Sequence, residues 1–313
     1  VRAAVVRDGR IEVEERPDPV PGTGEVLVRV RASGLNGADL AQRAGRYPAP
    51  PGSPPDIPGL ELAGEVAAVG PGVTRAGEGD RVMALVGGGG HAELATVHES
   101  LLLPVPVDVT WEEAGGFVEV YATAHDALFT QAGLAMGERV LVQGAAGGVG
   151  VAGVQLARAT GASVVGTVRA ERLRPRVAEL GAEVRAPADL DGLEFDVVLE
   201  LVGGDNLAAD LALLATGGRM VVIGVGAGAS AELPFYELMR RRGRILASTL
   251  RARPLEQKAL VVRRLERHVL PLLADRRVVV PVHETFPLAE AQSAYERFLE
   301  GGKLGKIVLR MGD

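Results

Sequence analysis

The sequence predicts an α/β chain of two domains, one β-rich and one built on a doubly wound parallel sheet. Three observations carry this. At 313 residues the chain is too long for one ordinary core and about right for two. From Arg139 onward, short apolar strands alternate with helical segments, the pattern of a parallel sheet covered by helices. A glycine cluster separates the first of those strands from the helix after it.

The first third reads as strands and turns. From Glu25 to Ala32 the residues alternate, with Val26, Val28 and Val30 on one face and Leu27, Arg29 and Arg31 on the other. Turn clusters surround this strand: Pro17-Asp18-Pro19, Pro21-Gly22-Thr23-Gly24 and the proline-rich stretch Pro48 to Pro58. Thr110-Trp111-Glu112-Glu113 fits a capping box and places a helix start at Thr110. Beyond it, Val140-Leu141-Val142 predicts a buried strand, followed by a glycine turn and a helix through Val154, Leu156 and Ala157. Further strands are expected at Ser163–Thr167, Phe195–Leu199, Arg219–Gly224 and Arg244–Ser248. A helix over Leu288–Leu299 and a strand over Lys306–Leu309 are expected to return to the first domain. Gly87–Gly90 reads as a mobile loop.

Composition narrows the function. Hydrophobic residues make up 47% and charged residues 24%, an ordinary globular mix. No apolar run approaches the ~20 residues of a membrane helix. Charge appears too early in Val1-Arg2-Ala3-Ala4-Val5-Val6-Arg7-Asp8 for a secretory signal. The expectation is a cytoplasmic protein with no membrane partner. A net charge of −6 without a long basic block argues against a nucleic-acid partner. The chain has no cysteine, which excludes disulfides, thiolate nucleophiles and thiolate-bound zinc. His98, His125, His268 and His283 show no metal spacing, so no metal ligands are expected.

Ala145-Ala146-Gly147-Gly148-Val149-Gly150 lies between strand and helix, where glycines admit a pyrophosphate to the amides of a helix N-terminus. Ala145 stands where the first glycine of G-x-G-x-x-G is usual. An NAD enzyme carries Asp or Glu about 20 residues further on. Val168 lies there instead, then Arg169, with Arg172 and Arg174 near. A guanidinium in place of a carboxylate suits the 2′-phosphate of NADPH. The competing reading is a solvated arginine-rich helix start, with Glu171 as a local partner.

Gly137-Glu138-Arg139-Val140-Leu141, then Ala145 to Gly150, then Gln155 and Arg158 reproduce the quinone oxidoreductase/ζ-crystallin signature at full spacing. Asn36-Gly37-Ala38-Asp39, Arg43 to Pro48, Pro58-Gly59-Leu60-Glu61, Phe117-Val118-Glu119 with Thr123-Ala124, Ser248 to Arg253 and Gly305 to Leu309 extend the likeness. The chain thus resembles the zinc-independent quinone oxidoreductase branch of the medium-chain dehydrogenase/reductase superfamily from end to end. The resemblance implies a GroES-like catalytic domain over 1–117 and 259–313 and a Rossmann domain over 118–258. It also implies an active site in the cleft between them and a homodimer joined along the nucleotide-binding sheets. Zinc-dependent relatives place a cysteine near Asn36 and a histidine at Leu60, and neither is present.

By the same resemblance the residues expected at the cofactor are Thr123, Ala146, Gly147, Gly148, Val149, Arg169, Arg172, Arg174, Val202, Gly224, Thr249 and Lys306. Two departures bear on NADPH. Relatives often carry a lysine near Leu173 and a tyrosine within Gly181–Pro187, and this chain has neither. Phosphate recognition then falls mainly on Arg169.

Hydride transfer is the cofactor's chemistry, and the protein must accommodate charge that builds on the acceptor's carbonyl oxygen. Tyr47 is the candidate donor there, because similar zinc-free enoyl reductases carry a tyrosine in a Gly-x-Tyr-Pro setting. Packing a proline-rich turn is its competing reading. Asn36 can orient substrate or nicotinamide, or simply tie down a loop. His91 reads as a surface histidine more readily than as a pocket residue, and the run Arg240 to Arg244 as a solvated helix end. The expected function is NADPH-dependent reduction of quinones or other α,β-unsaturated carbonyl compounds. The alternatives are a 2-enoyl thioester or enone reductase and a non-catalytic, crystallin-like or sensor protein that binds NADPH.

Overall fold

A computed structural model describes residues 1–312. They form two compact units, one of residues 1–120, 250–301 and 306–312, the other of residues 121–249 and 302–305. The sequence placed the joins at 117/118 and 258/259. The chain re-enters the first unit earlier than that, at residue 250, because the helix over Leu255–His268 packs on elements of that unit around residues 99–104.

The first unit opens with a hairpin of β1 (Arg2–Arg7) and β2 (Arg10–Glu15). Its two-residue turn, Asp8-Gly9, has positive φ at both positions, as a tight hairpin requires. There follow β3 (Glu25–Gly34), α1 (Gly37–Arg43), β4 (Glu61–Val69), β5 (Arg81–Leu85), β6 (Leu94–His98), β7 (Leu102–Pro104) and α2 (Trp111–Gly115). Val26, Val28 and Val30 are buried and Arg29 is exposed, as the alternation of β3 predicts. Thr110 caps α2 by accepting from the Glu113 amide, while the Glu113 carboxylate accepts from the Thr110 amide.

The second unit contains most of α3 (Val118–His125), then β8 (Arg139–Val142), α4 (Gly148–Ala159), β9 (Ser163–Thr167), α5 (Arg174–Glu179) and β10 (Glu183–Arg185). It continues with β11 (Phe195–Glu200), α6 (Asn206–Ala212), β12 (Leu214–Val222), α7 (Phe235–Arg241) and β13 (Arg244–Ala247). The strands pair in parallel in the order β10-β9-β8-β11-β12-β13. Val140, Leu141 and Val142 of the central strand are fully buried, each side chain contributing about 1.5–3 kcal/mol through burial. Leu141, Phe195, Val198 and Met220 belong to one continuous core. β12 begins five residues before the expected Arg219. Arg219 is itself buried, paired with Glu138 at 2.6 Å and donating to the carbonyls of Ala132 and Gly133.

The chain then returns through α8 (Leu255–His268), α9 (Leu270–Ala274), β14 (Val282–Pro287), α10 (Ala291–Glu300) and β15 (Lys306–Arg310). β15 runs parallel to β14 and antiparallel to β3, completing the seven-stranded sheet of the first unit. The helix expected from Leu288 starts as a 3₁₀ turn over Leu288–Glu290.

Two loop expectations are corrected. Gly87–Gly90 is packed: Gly87, Gly89 and Gly90 are buried, and the Gly87 carbonyl accepts from Arg251 Nε at 2.7 Å. His91 is fully buried and lies 3.0 Å from the Tyr295 hydroxyl through Nδ1. Small residues around it let a histidine sink into the unit, which a reading by polarity misses.

Candidate active site

In the second unit, the expected cofactor residues gather along one edge of the sheet. The Gly144–Gly148 turn follows β8, and Arg169 follows β9. Val202, Gly224 and Thr249 stand just past the ends of β11, β12 and β13. These are the carboxyl ends of parallel strands, where α/β sheets bind nucleotides.

The turn is held from several sides. Gly144 adopts φ +66°, and Gly147 is the N-cap of α4. A Cβ on Gly150 would lie 2.5 Å from the Gly144 carbonyl, so only glycine lets the helix start so close to the strand end. Thr167 fixes the turn by accepting from the Gly144 amide at 3.1 Å through Oγ1 and from the Ala145 amide at 3.0 Å through its carbonyl. Ala145 fits in place of glycine because the residue facing it is Gly166, where a Cβ would come within 2.8 Å of the Ala145 methyl. No side chain caps α4, which leaves its first amides open to an anion. The Gly305 amide donates to the Ala146 carbonyl at 2.8 Å.

The three arginines differ in what they already do. Arg174 Nε donates to the Val168 carbonyl at 3.2 Å, and Arg172 Nη2 to the Gly302 carbonyl at 2.7 Å. Arg169 is exposed and makes no hydrogen bond or ion pair among the described residues. Thr123 is half-buried on α3, and Gln155 of α4 donates to the buried Tyr121 hydroxyl at 2.8 Å, so this signature glutamine ties α4 to α3.

Beneath the same edge lies a buried acid pair. Glu200 Oε1 accepts from the amides of Val202 and Gly203, the latter at 2.7 Å. Asp210 accepts from Gln143 Nε2 at 2.6 Å, and burial beside Glu200 pushes its carboxyl up to about 9. Asp210 therefore retains its proton at neutral pH.

The first unit holds a second polar cluster. Lys306 Nζ donates to Glu61 Oε1 at 2.7 Å, Asn36 Oδ1 at 2.7 Å and the Leu35 carbonyl at 2.8 Å, using all three protons. Asn36 Nδ2 donates to Glu61 Oε1 at 3.0 Å, and Glu61 Oε2 accepts from the Glu119 amide at 2.9 Å. Lys306, expected at the cofactor, and both ends of the Asn36 amide are engaged within this cluster. Desolvation, reinforced by Glu61, pushes the Glu119 carboxyl up to about 8.

Tyr47 is half-buried, with the Arg251 guanidinium 5.2 Å from its ring centre. Arg251 also donates to the carbonyls of Tyr47 at 3.0 Å and Gly87 at 2.7 Å and to Gln42 Oε1 at 2.5 Å. One buried arginine thereby fixes the tyrosine loop against the glycine run. Burial lowers the His91 pKa, which leaves the ring neutral.

Residues 22–107 match the family described as alcohol dehydrogenase GroES-like domain, and residues 181–309 match zinc-binding dehydrogenase. Quinone oxidoreductase of Rattus norvegicus is 33% identical over 307 residues, covering 93% of this chain and 90% of the rat protein. The chain belongs to the quinone oxidoreductase family of the medium-chain dehydrogenases/reductases. Quinone oxidoreductase from Thermus thermophilus, solved alone and with NADPH, is 37% identical with a TM-score of 0.86, covering 99% of this chain and all of that one. A mycocerosic acid synthase-like polyketide synthase of Mycolicibacterium smegmatis is 34% identical over 309 residues, 94% of this chain and 14% of that longer protein.

As a member of the quinone oxidoreductase family, the protein is an oxidoreductase with a small-molecule substrate. Among the described residues, no group of three or more histidine, aspartate and glutamate side chains is placed to hold a metal. Sequence reasoning did not assign roles to Glu61, Glu119 and Arg251. Glu61 is itself fully buried, and a buried carboxylate demands a cation, but neither fact is written in the local sequence. The sequence does not reveal that the cation lies 245 residues away.

Proposed function

We propose that this family member is a cytoplasmic, NADPH-dependent, zinc-free reductase that delivers hydride to a quinone or another carbonyl-conjugated alkene. The observation that carries the reading is Arg169, an uncommitted guanidinium at the end of β9 in the place where an NAD enzyme would have a carboxylate. The amides of Gly148 and Val149 suit the pyrophosphate, and Arg169 suits the 2′-phosphate. NADPH, when bound, supplies the hydride. Val202, Gly224, Thr249 and Thr123 complete the nucleotide edge, while Arg172 and Arg174 brace the backbone around it.

The residues of the first unit handle charge on the acceptor. Tyr47, held in place by Arg251, donates its phenolic hydrogen bond to the acceptor's carbonyl oxygen and can pass it a proton. Lys306 and Glu61 supply a fixed ion pair around Asn36, where zinc-dependent relatives carry a ligand. With no cysteine in the chain, carbonyl polarisation rests on hydrogen-bond donors.

Turnover with a panel of quinones, enones and enoyl-CoA esters, driven by NADPH and separately by NADH, tests this. Quinone or enone reduction that prefers NADPH is expected; NADPH binding with no acceptor reduced overturns it. Efficient turnover of enoyl-CoA alone would favour the second reading, an enoyl thioester reductase.

A homodimer is part of the proposal. α7 exposes Phe235, Tyr236 and Met239 beside the edge strand β13, an apolar face suited to a second copy. Light scattering on the purified protein is expected to return twice the 32.6 kDa chain mass.

A further inference from the structure

We propose that a cavity within the first unit binds a small molecule with an apolar body and a single anionic oxygen group, and that Lys258 recognises that charge. The cavity has a volume of about 370 Å³, within the range that encloses small organic ligands. Ile57, Val86, Leu101 and Leu255 give it apolar walls, and the packed glycines Gly87–Gly89 form another side.

Lys258, on α8, stands in that wall. It is half-buried and makes no hydrogen bond or ion pair among the described residues. Burial lowers its pKa, and Glu119, when ionised, opposes the shift without closing to an ion pair. The other ionisable groups lining the cavity are engaged. Arg16 pairs with Asp56 at 2.7 Å, the Val1 amino group with Asp18 at 2.8 Å, and His98 Nδ1 with the Ser100 hydroxyl at 2.8 Å. The Glu25 carboxylate accepts from the Gly22 amide at 2.9 Å. A desolvated ammonium without a counter-charge is unfavourable, and an anionic ligand group relieves that cost. With the other ionisable groups of the lining engaged, Lys258 is the cation left to meet one anionic group on a ligand whose body fits the apolar walls.

The charge preference of this site is independent of the reductase reading and can be measured without turnover. The test is calorimetric titration of the full chain with 1,4-naphthoquinone-2-sulfonate and with neutral menadione. Wild type is expected to bind the sulfonate about tenfold more tightly than menadione, the effect of one charge-assisted contact. In Lys258→Gln that preference disappears while menadione binding changes less than about twofold, and Lys258→Arg retains it. An unchanged preference in Lys258→Gln, equal weakening of both ligands, or failure of both to bind overturns the proposal.

Discussion

Lys306 Nζ lies 2.7 Å from Glu61 Oε1, with the two side chains 2% and 0% exposed, and the Asn36 amide bridges them. Each charge is tolerated inside the unit because the other is present. Removing one partner leaves an uncompensated buried charge, which typically costs about 3–5 kcal/mol. Lys306→Met is therefore expected to lower stability by about that amount in urea denaturation. Adding Glu61→Leu should recover most of the loss, because two apolar side chains replace two charges. A double variant as unstable as the single one would contradict this.

Glu119 links the same cluster to pH. Its carboxyl is raised from an ordinary 4.5 to about 8 in the folded protein. Between those values the unfolded chain releases a proton that the folded chain retains. Stability should therefore fall as pH rises from about 4.5 to 8 and level off above that. Glu119→Gln removes this slope. Its Tm is expected to match wild type near pH 4.5 and exceed it by a few degrees near pH 9, as thermal melts across that range would read.

The fit of Ala145 against Gly166 predicts a compensating pair. Gly166→Ala would bring two methyl groups to 2.8 Å, an overpacking that costs about 1–3 kcal/mol and disturbs the phosphate turn. Adding Ala145→Gly should restore both stability and nucleotide binding, measured by melting with and without NADPH. No recovery in the double variant would show that the contact does not set the turn.

Tyr47→Phe keeps the ring beneath Arg251 and removes only the hydroxyl. Turnover should drop by about 10²-fold while NADPH affinity stays the same, the signature of a donor acting on the acceptor in the transition state. Steady-state rates across several acceptors check this. Unchanged rates remove Tyr47 from the mechanism.

The strand–turn–helix at the edge of the parallel sheet was largely legible in the sequence, because its parts are local. A short apolar strand, a glycine turn and a helix are read within about 20 residues, and Arg169 falls at a fixed distance from them. The β3 alternation and the Thr110 cap were readable for the same reason. The polar cluster was not. Only the fold brings Lys306 to Glu61 and Asn36, across 245 and 270 residues. Gly87–Gly90 and His91 misled in another way: composition suggests exposure, yet Arg251 and Tyr295 reach them from distant segments. Arg251 had no signal of its own, since its three acceptors, Gln42 on α1 and the carbonyls of Tyr47 and Gly87, lie far from it in the sequence.

The central claim is that Arg169 reads the 2′-phosphate, and comparing NADPH with NADH binding in wild type and Arg169→Ala tests it most directly. Fluorescence or calorimetric titration should show NADPH weakened by about 10- to 100-fold and NADH by less than about twofold, as expected for loss of charge-assisted bonds to one phosphate. Equal weakening of the two nucleotides, or no weakening of either, would contradict it.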